Sequence, residues 1–156
     1  EWFHAFDHYI ASKMFDKTAT RNQFSSSAWL QNQPIISHYL NKLLSSAYQL
    51  LFLSADGKNE STFFAHCRQL DASRNRLYLA MPEEMAARAF EKVLQMQSLK
   101  NSFLVSGTLK SKAAEMGVDP DDAVSTELAG LWLQYFQLLG QGLQYKTRSK
   151  NTLVDG

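Results

Sequence analysis

Residues 81–91 read MPEEMAARAFE, and this stretch sets the expectation of a helical fold. Pro82 suits the first position of a helix, where its fixed φ is already helical and its missing N–H would have no partner anyway. Glu83 and Glu84, in the first turn, complement the positive end of the helix dipole. Met85, Ala86, Ala89, Phe90, Val93 and Leu94 then recur at helical spacing and form one apolar face. The alanines on it are small enough to let a second helix approach closely.

The same periodicity extends in both directions. Upstream, Ser61 to about Ala72 predicts a shorter helix burying Phe63, Phe64, Cys67 and Leu70. Before it, Pro34 fits the first turn of a long helix with Ile35, Ile36, Tyr39, Leu40, Leu43, Leu44, Ala47, Leu50 and Leu51 as its buried stripe, ended by Asp56-Gly57. The polar run Asp16–Ser27 reads as a loop, and residues 1 to about 15 form a helix with Trp2, Phe3, Phe6, Tyr9, Ile10 and Met14 on its apolar side. Downstream, SFLVSG at 102–107 is extended or a loop, and a short helix stops near Gly117. Asp119 then reads as an N-cap with Pro120 at the first helical position, opening a helix that runs to about Leu139, where Gly140 and Gly142 interrupt it. The expectation is a mainly α single domain over residues 1–145, about six helices, with a flexible basic tail at 146–156.

Composition bounds the function without naming it. The 156 residues suffice for one apolar core, and 45% hydrophobic against 20% charged residues is ordinary for a globular domain. A net charge of +1 spread along the chain gives no broad field for nucleic acid or anionic lipid, and the one basic cluster, Lys146, Arg148 and Lys150, reads as a solvated tail. The single Cys67 excludes an internal disulfide and a Cys-rich metal site, and fits a reducing compartment. No apolar run approaches the roughly 18 residues of a membrane span, and no signal peptide is visible. A cytoplasmic location follows as the expectation.

The chemistry begins at EWFHAFDHYI, residues 1–10. Glu1 and His4 stand three apart, one turn along a helix face, and match the last two marked positions of the H-E-x-x-H zinc motif. In that motif two imidazoles four apart bind one metal, while the intervening Glu takes a proton from water. Glu1 would be that base and His4 the second imidazole ligand; the first would be the residue before Glu1. Taken alone, E-x-x-H is also what chance places in many helices, as a half-exposed pair at a helix start. His8, four after His4, has no Glu immediately after the first His to serve as base, and reads as solvent-facing or bonded to a neighbour. Asp7 reads either as a carboxylate orienting an imidazole or as an ordinary helix contact. A third ligand has to come from another helix, and Glu83 and Glu84 are the available carboxylates; the same two residues also serve simply as first-turn acids.

Taken together, the two segments resemble a known family. EWFHAFDHYI resembles the tail of the H-E-W-x-H-A-x-D-x-Y motif of a metallopeptidase-like domain in the large polyvalent proteins of phage and conjugative elements. YLAMPEEMAARAFEKV, residues 78–93, resembles that domain's Y-x-x-x-P-x-E-M-F-A-R-A-F-E segment, with Ala86 where the family usually carries Phe, and KNSFLVSG resembles its K-N-x-x-L-V stretch. The likeness covers residues 1–15 and 74–108. The second segment is also similar to the E-F-F-A-E-A-F stretch of gluzincin-type toxins, whose leading Glu is a zinc ligand.

The resemblance implies the helical C-terminal part of a zincin-like metallopeptidase domain, truncated at its H-E-x-x-H motif, that hydrolyses peptide bonds with zinc as cofactor. It implies Glu84 as a metal ligand beside His4, with Glu83 as the fallback, Glu1 as general base, and Tyr78 as hydrogen-bond donor to the oxyanion. The implied partners are a peptide or protein substrate and the upstream part of the parent chain; charge and hydropathy, for their part, argue against a membrane and against nucleic acid. The rival reading is a non-catalytic helical module of a mosaic protein, in which His4 and Glu84 need not meet. Their separation discriminates between the two.

Overall fold

The computed structural model describes residues 1–16, 23–97 and 118–154. Among them lie six helices and no sheet: α1 (Trp2–Met14), α2 (Ser25–Leu30), α3 (Tyr39–Phe52), α4 (Thr62–Ser73), α5 (Pro82–Gln97) and α6 (Asp122–Val154). The fold is mainly helical, as the periodicity predicts. Ser61 caps α4 by accepting a hydrogen bond from the Phe64 N–H at 3.1 Å, and Pro82 opens α5 with Glu83 and Glu84 in its first turn. The expected extended segment at 102–107 and the helix ending at Gly117 fall outside the described residues.

The helices close around one core. The first half of α6 packs on α3 and α5, while α1 packs on α2 and α5. Phe3 of α1, Phe90 of α5 and Trp132 of α6 meet at the centre, with ring centroids 4.8 to 5.5 Å apart. This aromatic triad fixes how α1 and α5 lie against each other. Beside it, Ala86, Ala87 and Ala89 are buried and leave room for the neighbouring helices to approach.

Five boundaries differ from the sequence expectation, the first two of them for a tertiary reason. The serines of the supposed loop start a helix, because the buried Asp7 carboxylate accepts hydrogen bonds from the Ser25 hydroxyl (2.5 Å) and from both the N–H (2.9 Å) and the hydroxyl (2.6 Å) of Ser26. The long helix begins at Tyr39 and not at Pro34. Ile35 pairs with Phe15 as an isolated bridge, the Ile36 N–H donates to the Met14 carbonyl at 2.8 Å, and His38 caps α3. That helix ends at Phe52; Asp56 and Gly57 belong to the turn after it, where Gly57 takes φ +70°. Asp121, not Asp119, caps α6 through the Val124 N–H at 2.8 Å. The same helix continues through Gly140 and Gly142 to Val154, and residues 141–151 are exposed along its length.

Candidate functional site

The first turns of α1 and α5 meet at His4 and Glu84. The His4 Nε2–H donates to Glu84 Oε1 at 3.1 Å across 80 residues of sequence, and both side chains are about three-quarters buried, at 28% and 21% exposed. Glu83 turns the other way, where its Oε2 accepts the Ser27 hydroxyl of α2 at 3.1 Å. Of the two acidic residues, Glu84 therefore faces the histidine. Phe24, preceding α2, presents its ring edge-on to both His4 and His8, at 6.1 and 5.8 Å. His8 is exposed. Glu1 sits at the N-cap of α1, exposed, one turn before His4.

Tyr78 is set beside this pair by a backbone clasp. Asp71, buried at the end of α4, accepts hydrogen bonds from three successive N–H groups, those of Tyr78, Leu79 and Ala80, at 3.0, 2.9 and 2.8 Å. Burial alone would raise the Asp71 pKa, but those three donors and the nearby Arg88 outweigh it and hold the carboxyl below its ordinary value. Arg88, buried in α5, donates to the carbonyls of Leu79 and Glu84 and lies over the Phe63 ring. Tyr78 itself is exposed; partial desolvation and the nearby Glu84 carboxylate push its phenol above the ordinary value, and it is protonated at neutral pH.

The structure thus brings His4, Glu84 and Tyr78 into one neighbourhood and leaves Glu1 at its edge. It gives Asp7 a different task from orienting an imidazole: that carboxylate is fully occupied by Ser25, Ser26 and the Tyr48 hydroxyl, the last at 3.1 Å. Asp71 and Arg88, which position Tyr78, escape a sequence reading because their partners are backbone atoms. Glu91, two turns along α5 from Glu84, is a further half-buried carboxyl raised by burial, and nothing local in the sequence marks it.

Two donors on one tetrahedral zinc, each about 2.0–2.2 Å from it, lie about 3.3 Å apart. The His4–Glu84 separation fits that edge, and equally fits a direct hydrogen bond. Among the described residues, however, no group of three or more His, Cys, Asp or Glu side chains is placed to hold a metal ion. The donor chemistry suits zinc; the ligand count there falls one short of the three a catalytic site uses.

Comparison with known proteins adds one match, to a protein family. Residues 70–143 match the family model of the large polyvalent protein-associated domain 1. The matched region takes in Asp71, Tyr78, Glu83, Glu84 and Arg88, all of α5 and the packed half of α6, and leaves out Glu1 and His4. No curated protein and no solved structure matches the chain. No described helix is long and apolar enough to cross a membrane.

Proposed function

We propose that the chain is part of a zinc-dependent metallopeptidase-like domain, in which His4 and Glu84 are two of the metal ligands and the third donor comes from outside the described residues. The observation that carries this reading is the 3.1 Å approach of His4 to Glu84, from two helices 80 residues apart, in the register the resemblance implies. Zinc, when bound, supplies positive charge that polarises a peptide carbonyl and acidifies water. Glu1 accepts the proton of the attacking water, and its exposed position leaves it open to solvent and substrate. The Tyr78 phenol, exposed and protonated at neutral pH, donates a hydrogen bond to the oxyanion. The Asp71 clasp and Arg88 hold the backbone that carries Tyr78.

A second reading is favoured by the same contact taken at face value. If the His4–Glu84 hydrogen bond is complete in itself, it ties α1 to α5 in a non-catalytic helical module of a mosaic protein.

Zinc titration against a chromophoric chelator separates the two. The metallopeptidase reading expects one bound zinc, lost in His4→Ala and in Glu84→Ala, and hydrolysis of a casein substrate abolished by Glu1→Gln with zinc retained. No zinc uptake by the parent protein, or undiminished uptake by either alanine variant, overturns it in favour of the module.

A further inference from the structure

A groove of about 700 Å³ opens between α3, α4 and the start of α6, and none of its lining residues comes from α1, α2 or α5. It is therefore distinct from the His4–Glu84 site. Its apolar wall is built from Leu50, Leu53, Phe63, Val124 and Leu131, of which Phe63 is buried and the others are half-buried. Four carboxylates, Glu60, Asp119, Asp121 and Glu127, line the same groove, and neither lysine nor arginine does. A concentration of negative charge in a chain of net charge +1 is a local feature, not a reflection of overall composition.

The four carboxylates differ in what already engages them. Glu60 pairs with Arg68, and Asp121 is the cap of α6. Asp119 and Glu127 have no hydrogen bond or ion pair among the described residues. Asp119 is half-buried, and burial pushes its carboxyl up despite the opposing charges of Lys92 and Arg88. A half-buried carboxylate carries a desolvation cost that a donor in the groove would relieve.

We propose that this groove binds a peptide segment through a lysine or arginine side chain, its alkyl stem along Leu50, Phe63 and Leu131 and its charged end on Asp119 and Glu127. The pairing of an apolar wall with carboxylates matches the two-part character of such a side chain, an apolar stem under a cationic head. The volume lies within the roughly 300–1,000 Å³ of ligand sites and exceeds what a single side chain fills. Ser46, Gln49, Ser54 and Thr62, also in the lining, offer neutral donors and acceptors to the backbone of the segment on either side.

The test is an amide-shift titration of the labelled chain with three probes: an acetylated pentapeptide carrying a central lysine between leucines, the same peptide with Nε-acetyl-lysine, and cadaverine. The lysine peptide is expected to give saturable shifts confined to the groove lining, residues 46–55, 60–66, 119–121 and 124–131. The acetylated form should bind about tenfold more weakly, as should the lysine peptide to an Asp119→Asn, Glu127→Gln double variant. Absence of saturable shifts, equal binding by the acetylated peptide, or unaltered binding by the double variant overturns the proposal, and binding of cadaverine without the peptide overturns the peptide as its ligand. Should the double variant lose its helical circular dichroism, the single exposed substitution Glu127→Gln decides: it must weaken the lysine peptide, and undiminished binding overturns the proposal.

Discussion

Asp7 grips Ser26 at two points, its two carboxylate oxygens accepting the Ser26 N–H at 2.9 Å and the Ser26 hydroxyl at 2.6 Å. The carboxylate is fully buried, and it also serves the hydroxyls of Ser25 and Tyr48. Asp7→Ala removes the acceptor for four donors at once; the Ser25 and Tyr48 hydroxyls, 2.6 Å apart, still pair with each other, and the two Ser26 donors are left unpaired in the core. The expected loss is about 3 kcal/mol, set by the 1–3 kcal/mol cost of each buried unsatisfied group and partial rescue by water. Urea unfolding measures it; a loss under about 0.5 kcal/mol would mean that α2 is anchored by other contacts.

The Asp71 clasp makes stability depend on pH. The folded-state pKa of Asp71 is depressed, so its contribution is fully present above the unfolded carboxylate value, near 4, and is lost as pH falls through the lower folded value. Asp71→Asn cannot offer two acceptor oxygens to three N–H groups, and costs about 1–2 kcal/mol at neutral pH. Unfolding free energies of the two proteins, followed from neutral pH into acid, should converge at the acid end. A constant gap would remove Asp71 ionisation as the cause.

Gly130 lies within α6, and a Cβ added there meets nothing within 4 Å. Gly130→Ala restricts the unfolded chain without crowding the folded one, and should stabilise by about 0.5–1 kcal/mol. Thermal unfolding reads this directly. A lower melting temperature would show that the backbone there needs the glycine.

The His4–Glu84 pair is open to a double-mutant cycle with His4→Ala and Glu84→Gln. Because both side chains retain access to solvent, their coupling without metal should be about 0.5–1 kcal/mol. Adding zinc should raise the melting temperature of the parent protein and of neither variant if the two residues are metal ligands. Equal zinc shifts in all three proteins would place the bound zinc elsewhere.

What the sequence determined by itself is the set of helices whose signals are local. Met85, Ala86, Ala89, Phe90 and Val93 recur at helical spacing, Pro82 and Ser61 sit where a helix start wants them, α4 falls within a residue or two of its expected bounds, and α5 starts where expected. Periodicity and capping act over a few residues, so they survive in one dimension. Where a boundary depends on a distant partner, the local signal misleads. Pro34 looks like a helix start, but the Ile36 N–H is taken by Met14, and the serines of α2 look like a loop until Asp7 caps them. Gly140 and Gly142 look like an end, yet each costs a helix only about 1 kcal/mol, and α6 runs through both. The site divides the same way. Spacing leaves Glu83 and Glu84 both open and the resemblance prefers Glu84; the packing of α1 on α5 through Phe3 and Phe90 brings Glu84 to His4 and turns Glu83 toward Ser27. A contact between residues 80 apart is set by how two helices are rotated against a shared core, and no local pattern records that rotation.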